Sequence, residues 1–114
     1  MIIGQHSILY TTEADADRAF FRDILQFPAT DAGDGWLIFR MPPAELALHP
    51  TDGAPTHEIF LMCDNVHATM ETLQERGVEF TTPVTDQGWG LMTHLKLPSD
   101  AVLGVYEPRH PTAI

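Results

Sequence analysis

Phe20-Phe21-Arg22-Asp23-Ile24-Leu25-Gln26-Phe27 and Leu73-Gln74-Glu75-Arg76-Gly77-Val78-Glu79-Phe80 are the two stretches on which the fold turns. Phe20 and Leu73, Phe27 and Phe80, and the later pairs Gly35-Trp36 and Gly88-Trp89 all stand 53 residues apart. A constant offset held over several positions marks a repeated structural unit. Each stretch also closes an apolar pattern at helical spacing. Ala16, Ala19, Phe20 and Ile24 fall on one face behind Thr12 and Asp15, a weak capping pair, and predict a helix over residues 13–25. Val66, Met70 and Leu73 share a face between a cap at Asp64-Asn65 and Gly77, a residue suited to the left-handed turn that ends a helix.

Outward from the helices the chain reads as strands. Ile2 to Tyr10 is short, apolar and rich in strand formers; Trp36 to Arg40 and Glu45 to His49 follow, parted by Pro42-Pro43. Ile59 to Cys63 opens the second copy, and residues 78–80, 91–97 and 102–106 complete it. Each copy is then a strand, a helix and further strands, and the turn-rich segment Thr51 to Thr56 joins them, so the repeats span about 1–52 and 56–108. A unit of about fifty residues has too little core to stand alone, so both copies belong to one α+β domain over residues 1–114.

The chain's 114 residues carry sixteen acidic and six basic side chains, a net charge of −10 that repels phosphate backbones and excludes nucleic acid as the expected partner. The single cysteine, Cys63, permits no intrachain disulfide and no four-thiolate zinc site. No apolar run is long enough to cross a membrane, and the first residues do not read as a secretory signal, so a soluble, cytoplasmic protein is expected. Phosphate-loop, serine-hydrolase and zinc-protease motifs are absent.

In this order and with this repeat, the chain resembles the vicinal oxygen chelate superfamily, which includes glyoxalase I, the bleomycin- and fosfomycin-resistance proteins and extradiol dioxygenases. The resemblance rests on His6 in the first strand, on Ala19 to Phe27, on Leu73 to Phe80, and on Leu97-Pro98-Ser99-Asp100 before the last strand; Gln26 stands where the family usually has glycine. It implies two tandem βαβββ modules whose mixed sheets curl around a cavity for a small molecule, and a homodimer. It also implies a divalent metal, such as Fe, Zn, Ni or Mn, held by one residue from each of four strands. Placed residue by residue, His6 takes the first ligand position and Glu58 the third, with His57 in its place if the register slips by one. Ala47 and Gly104 take the second and fourth, and neither side chain binds metal.

Strand alternation offers one replacement, because Glu45, Ala47 and His49 project from one face. His6, His49 and Glu58 would then make a two-His-one-carboxylate set. His6 and Glu58 are the expected catalytic residues of a lyase, isomerase or dioxygenase, and a metal-free catalyst with Glu58 or His6 as general base is a further reading. The alternative is a metal-free small-molecule binding protein like the bleomycin-resistance members. Tyr10, Phe60, Met62 and Tyr106 share the inward parity, and with Trp89 they are the expected substrate-binding wall, although the same side chains would also simply fill space. Trp36 and Trp89 either line the cavity together or close equivalent ends of the core. If Glu58 faces inward, Phe60 and Met62 do so too, while Ile59, Leu61 and Cys63 pack under the helices. Arg40 and Arg109 are the cations suited to an anionic ligand. His94 could face either side of its strand, and His67 and His110 read as solvent residues.

Overall fold

A computed structural model describes residues 6–45, 47–54 and 56–114. Ile2 to Gln5 of the expected first strand, Leu46 of the expected strand over residues 45–49, and Pro55 lie outside them. Its elements run α1 (Ala14–Ala19), a π-helical turn (Phe20–Ile24) that continues it, β1 (Ala29–Asp31), β2 (Leu37–Phe39), β3 (Phe60–Met62), α2 (Val66–Glu75), β4 (Thr85–Asp86), β5 (Gly90–Lys96) and β6 (Val102–Pro108). The class is α+β: β1 and β2 form an antiparallel hairpin, and the other four strands form a mixed sheet in the order β3-β6-β5-β4.

The second half is a complete strand-helix-strand-strand-strand unit. Its β3 and β6 are parallel, α2 carries the chain from β3 to β4 at the far edge of the sheet, and β5 pairs antiparallel with both β6 and β4. Asn65 caps α2 by accepting the Ala68 N–H at 2.9 Å, and the half-buried carboxylate of Glu107 accepts the Val66 N–H at 3.2 Å. A helix N-terminus exposes unpaired N–H groups and a partial positive charge, and these two side chains answer both. At the other end Gly77 adopts φ +86, and Val78 N–H reaches back to the Leu73 carbonyl at 3.0 Å.

The first helix ends differently. Its last turn widens to π geometry, and Gln26 takes the left-handed conformation at φ 62 where glycine would be unstrained. The rings of Phe21, Phe27 and Phe39 then gather beside the hairpin.

Both helices lie against one face of the four-stranded sheet. Phe20, Leu73, Val78, Leu95, Leu97, Leu103 and Val105 form the buried core there, with Ile59, Leu61 and Cys63 packed against it. Hydrogen bonds tie the halves together. Arg76 donates to the Ile24 carbonyl at 2.7 Å, and buried Asp17 accepts the Ser99 N–H in the β5–β6 turn at 3.1 Å. Residues 6–10 and 47–49 run exposed and outside any strand. The radius of gyration is 15.0 Å, above the about 13 Å usual for a globular chain of this length.

Candidate functional site

The face of the sheet away from the helices is where cavity chemistry has to be sought. Strand alternation sets its members in rows across β3, β6 and β5. Phe60 pairs with Gly104, and Gly104 with His94; Met62 pairs with Tyr106, and Tyr106 with Met92; Pro108 faces Gly90. Ile59, Leu61 and Cys63 take the core face. This register puts Phe60 and Met62 on the open side, with Glu58 exposed just before β3.

Three rings meet on this face, each edge-on to the other two. Phe60 and Trp89 have centroids 6.3 Å apart, Phe60 and Tyr106 5.9 Å, and Trp89 and Tyr106 5.3 Å, with interplanar angles of 74–82°. Such edge-to-face geometry aligns the positive rim of one ring with the negative face of the next. Phe60 and Trp89 nevertheless remain 36% and 42% exposed, so their outer surfaces are free for a ligand.

Two glycines make room for the rings. A Cβ at Gly104 would stand 2.3 Å from Phe60 Cδ1 and 2.5 Å from Cε1, and a Cβ at Gly90 would stand 2.9 Å from Tyr106 Cδ2. Carbon atoms pack at about 3.5–4.0 Å, so no other residue fits at Gly104 without displacing the ring. In sequence Gly104 reads only as a missing ligand. Its structural meaning is that Phe60 occupies the volume a side chain would use. A glycine inside a strand with an aromatic beside it is the signal that would have found this.

Around Tyr106 the chain is closed by its own C-terminal segment. The phenol lies 3.2 Å from His110 Nε2, His110 Nδ1 is 2.8 Å from the Pro111 carbonyl, and the His110 ring stacks on Tyr106. A proton on Nδ1 bound to the carbonyl leaves Nε2 to accept from the phenol. Glu45 reaches the Ala113 N–H nearby. Burial pushes the Tyr106 hydroxyl above its ordinary pKa, and the negative charge of Glu45 adds to the shift. His110 is therefore half-buried and engaged rather than a plain solvent residue.

His94 is half-buried on the open face, with Nδ1 3.1 Å from the Thr82 hydroxyl. Cys63 is half-buried on the core side, where burial raises its thiol pKa; the Thr69 hydrogen bond acts the other way, and the charges of Glu107 and Asp64 reinforce the rise.

The remaining expected site residues lie elsewhere. Tyr10, 87% exposed, lines a shallow cleft of about 480 Å³ with Thr11, Thr12, Ser99, Asp100 and Ala101, none of which belongs to the ring cluster. Trp36 carries Arg18 over its ring at 4.6 Å, so the two tryptophans have different surroundings despite their equivalent places in the repeat. Arg40 and Arg109 are both exposed, and Arg109 pairs with Glu107 at 3.2 Å. His6, His49 and Glu58 are all exposed, and among the described residues no three His, Cys, Asp or Glu side chains converge as metal ligands.

On the ligand placement that the resemblance implies, two of the four metal positions lack a usable donor. Ala47 offers no donor, and at the fourth position a ligand side chain would have to pass through the Phe60 ring.

A family model for the Glyoxalase/Bleomycin resistance protein/Dioxygenase superfamily matches residues 4–109. The chain belongs to that superfamily. Among curated proteins none matches the sequence. The antibiotic binding protein TnmS3 of a Streptomyces species is similar at 22% identity and TM-score 0.66, over 95% of this chain and 98% of that one. Lactoylglutathione lyase of Agrobacterium tumefaciens is similar at 15% identity and TM-score 0.67, over 92% of each chain. A superfamily member from Sphaerobacter thermophilus is similar at 24% identity and TM-score 0.63, over 93% of this chain and 98% of that one. At these identities the likeness is one of fold, the α+β glyoxalase-like architecture described above. Among the described residues no helix is long and apolar enough to cross a membrane.

Proposed function

We propose that this glyoxalase-like chain is a metal-free binding protein for a flat, largely apolar small molecule, held on the open sheet face against Phe60, Trp89 and Tyr106, with Met62 and Met92 beside them. The observation that carries this reading is the Phe60 ring lying over Gly104, where the superfamily would place its fourth metal ligand. A ring cluster with its outer faces exposed gains by covering apolar area, at about 25 cal/mol per Å². Flat hydrocarbons suit it better than anions, because a chain of net charge −10 repels negative ligands. That one superfamily neighbour is described as an antibiotic binding protein is consistent with a binding role.

Fluorene, a flat hydrocarbon, tests the reading. It is expected to bind at micromolar concentration in equilibrium dialysis, and Phe60→Ala or Trp89→Ala is expected to weaken it about tenfold, the equivalent of about 1.4 kcal/mol. Unchanged affinity in both variants would overturn the assignment of the face. The enzymatic reading, a lyase, isomerase or dioxygenase working through His6 and Glu58 with His49 as a third metal ligand, has less behind it, because those side chains do not converge within one chain. Protein purified without chelator is expected to carry no stoichiometric divalent metal.

We also propose a homodimer. Ile8, Tyr10 and Leu48 are 60%, 87% and 90% exposed and, among the described residues, lie outside any paired strand, and an expanded chain with apolar residues bare in its first half is suited to a second copy. Light scattering should give twice the 12.7 kDa chain mass; the chain mass alone at micromolar concentration would contradict this. A reducing compartment such as the cytoplasm agrees with a lone cysteine.

A further inference from the structure

The open face is not uniformly apolar, and one of its polar side chains, His94, is held by several hydrogen bonds. His94 stands directly across β6 from Phe60: Phe60 pairs with Gly104, and Gly104 pairs with His94. Because Gly104 has no side chain, nothing on β6 separates the two. Adjacent strands lie about 4.8 Å apart, so the backbones of Phe60 and His94 are separated by about 10 Å, and the Phe60 ring lying over Gly104 extends across that gap toward the imidazole.

The imidazole is oriented by the segment before β4. The Thr82 hydroxyl oxygen accepts the His94 backbone N–H at 3.1 Å and lies 3.1 Å from the ring Nδ1. With that N–H already directed at its oxygen, the hydroxyl can offer its own hydrogen to Nδ1, which keeps the ring proton of neutral His94 on Nε2. Thr82 is itself pinned: its carbonyl accepts the Thr93 hydroxyl at 2.8 Å, and the neighbouring Thr81 N–H donates to the His94 carbonyl at 2.9 Å. Lys96, next on the same face, is engaged by Asp100 at 3.0 Å and Glu79 at 3.6 Å. Among the described residues Nε2 has no hydrogen-bond partner, and it sits on the side of the ring opposite Thr82.

We propose that His94 is the polar anchor of this face, donating Nε2–H to an acceptor oxygen on the rim of a flat ligand that lies against Phe60. The inference rests on the binding reading above and adds the ligand's chemistry: a conjugated ring system bearing a carbonyl or similar oxygen at its edge, uncharged so that the acidic surface does not repel it. A fixed donor loses little conformational freedom on binding, which makes its contribution one of selectivity as much as of affinity.

Fluorene and 9-fluorenone share one flat skeleton and differ in a rim carbonyl, so their ratio of dissociation constants isolates the anchor. Wild-type protein is expected to bind 9-fluorenone about threefold to tenfold more tightly than fluorene, the range of one net hydrogen bond. His94→Leu should abolish the preference, bringing the two dissociation constants together, and His94→Gln, which can return an N–H donor to the position of Nε2, should restore it. A preference that survives in His94→Leu, or a wild-type protein that binds both compounds equally, overturns the anchor and leaves the aromatic face standing. Failure of the wild type to bind either compound overturns the binding reading and the anchor with it. If His94→Leu does not fold, the wild-type ratio and its retention in His94→Gln decide the question.

Discussion

Adding one methyl group at Gly104 is the most direct test of how this face is built. The new Cβ would sit 2.3 Å from Phe60 Cδ1 and 2.5 Å from Cε1, more than 1 Å inside the about 3.5–4.0 Å at which carbon atoms pack. Phe60 cannot swing aside freely, because Trp89 and Tyr106 lie edge-on to it with centroids 6.3 and 5.9 Å away. Overpacking of this kind costs about 1–3 kcal/mol, against which replacing glycine in a strand returns about 0.5–1 kcal/mol of backbone entropy. Gly104→Ala should therefore destabilise the protein by about 1–2 kcal/mol, a fall in Tm of about 4–8 °C for a chain of this size. In a Phe60→Ala background the obstruction is gone, and the same substitution should stabilise by about 0.5–1 kcal/mol. The two single variants and the double variant, unfolded in urea at one fixed protein concentration, then give a coupling energy of about 1.5–3 kcal/mol. A coupling below about 0.5 kcal/mol, the scatter expected of independent sites, would refute the claim that the Phe60 ring fills the space over Gly104.

Removing the buried Asp17 carboxylate leaves the part-buried Ser99 N–H, which it accepts at 3.1 Å, without that partner, so Asp17→Ala should lower stability in urea by about 1–2 kcal/mol. Gln26→Gly should raise stability by up to about 1 kcal/mol, because Gln26 holds φ 62 at the end of the π turn, where a side chain is disfavoured. Cys63, on the core face, should label slowly with a thiol reagent until denaturant is added, whereas rapid stoichiometric labelling of the native fold would put it on the open face and reverse the register. Burial raises its pKa in the folded state, so the stabilisation from keeping the thiol neutral is complete below its ordinary value of 9.0 and declines as pH climbs above it; labelling should accelerate only in that upper range.

What the sequence makes legible are features set by local chemistry and by alternation. The helix pattern ending at Gly77, the paired long strands over 90–96 and 102–108, and the parity that sends Leu61 and Cys63 to the core follow from spacings of 3.6 and 2 residues. Features set by tertiary contact are not legible in this way. β4 is two residues long, Thr85–Asp86, too short for any period to register. The π turn at Phe20–Ile24 has no mark in the side-chain pattern, and Asp17, a carboxylate on a short helix, gives no sign that it is 4% exposed and bound to a turn some eighty residues away.

Gly104 and His94 show where sequence reasoning about a site reaches its limit. Compared with a family pattern, Gly104 is a position that lacks a ligand, and an absence carries no chemistry. Seen across the sheet, the same glycine lets Phe60 lie down over β6 and leaves His94 facing it without an intervening side chain. On the placement that the resemblance implies, position 104 is where a metal ligand would stand, and a side chain of any size there and the present Phe60 rotamer cannot coexist. Restoring a ligand there requires Phe60 to be shortened as well. Gly104→Glu alone should unseat the ring without creating a metal site, whereas a chain in which Phe60 is also made small has the room, though still lacks a donor at Ala47.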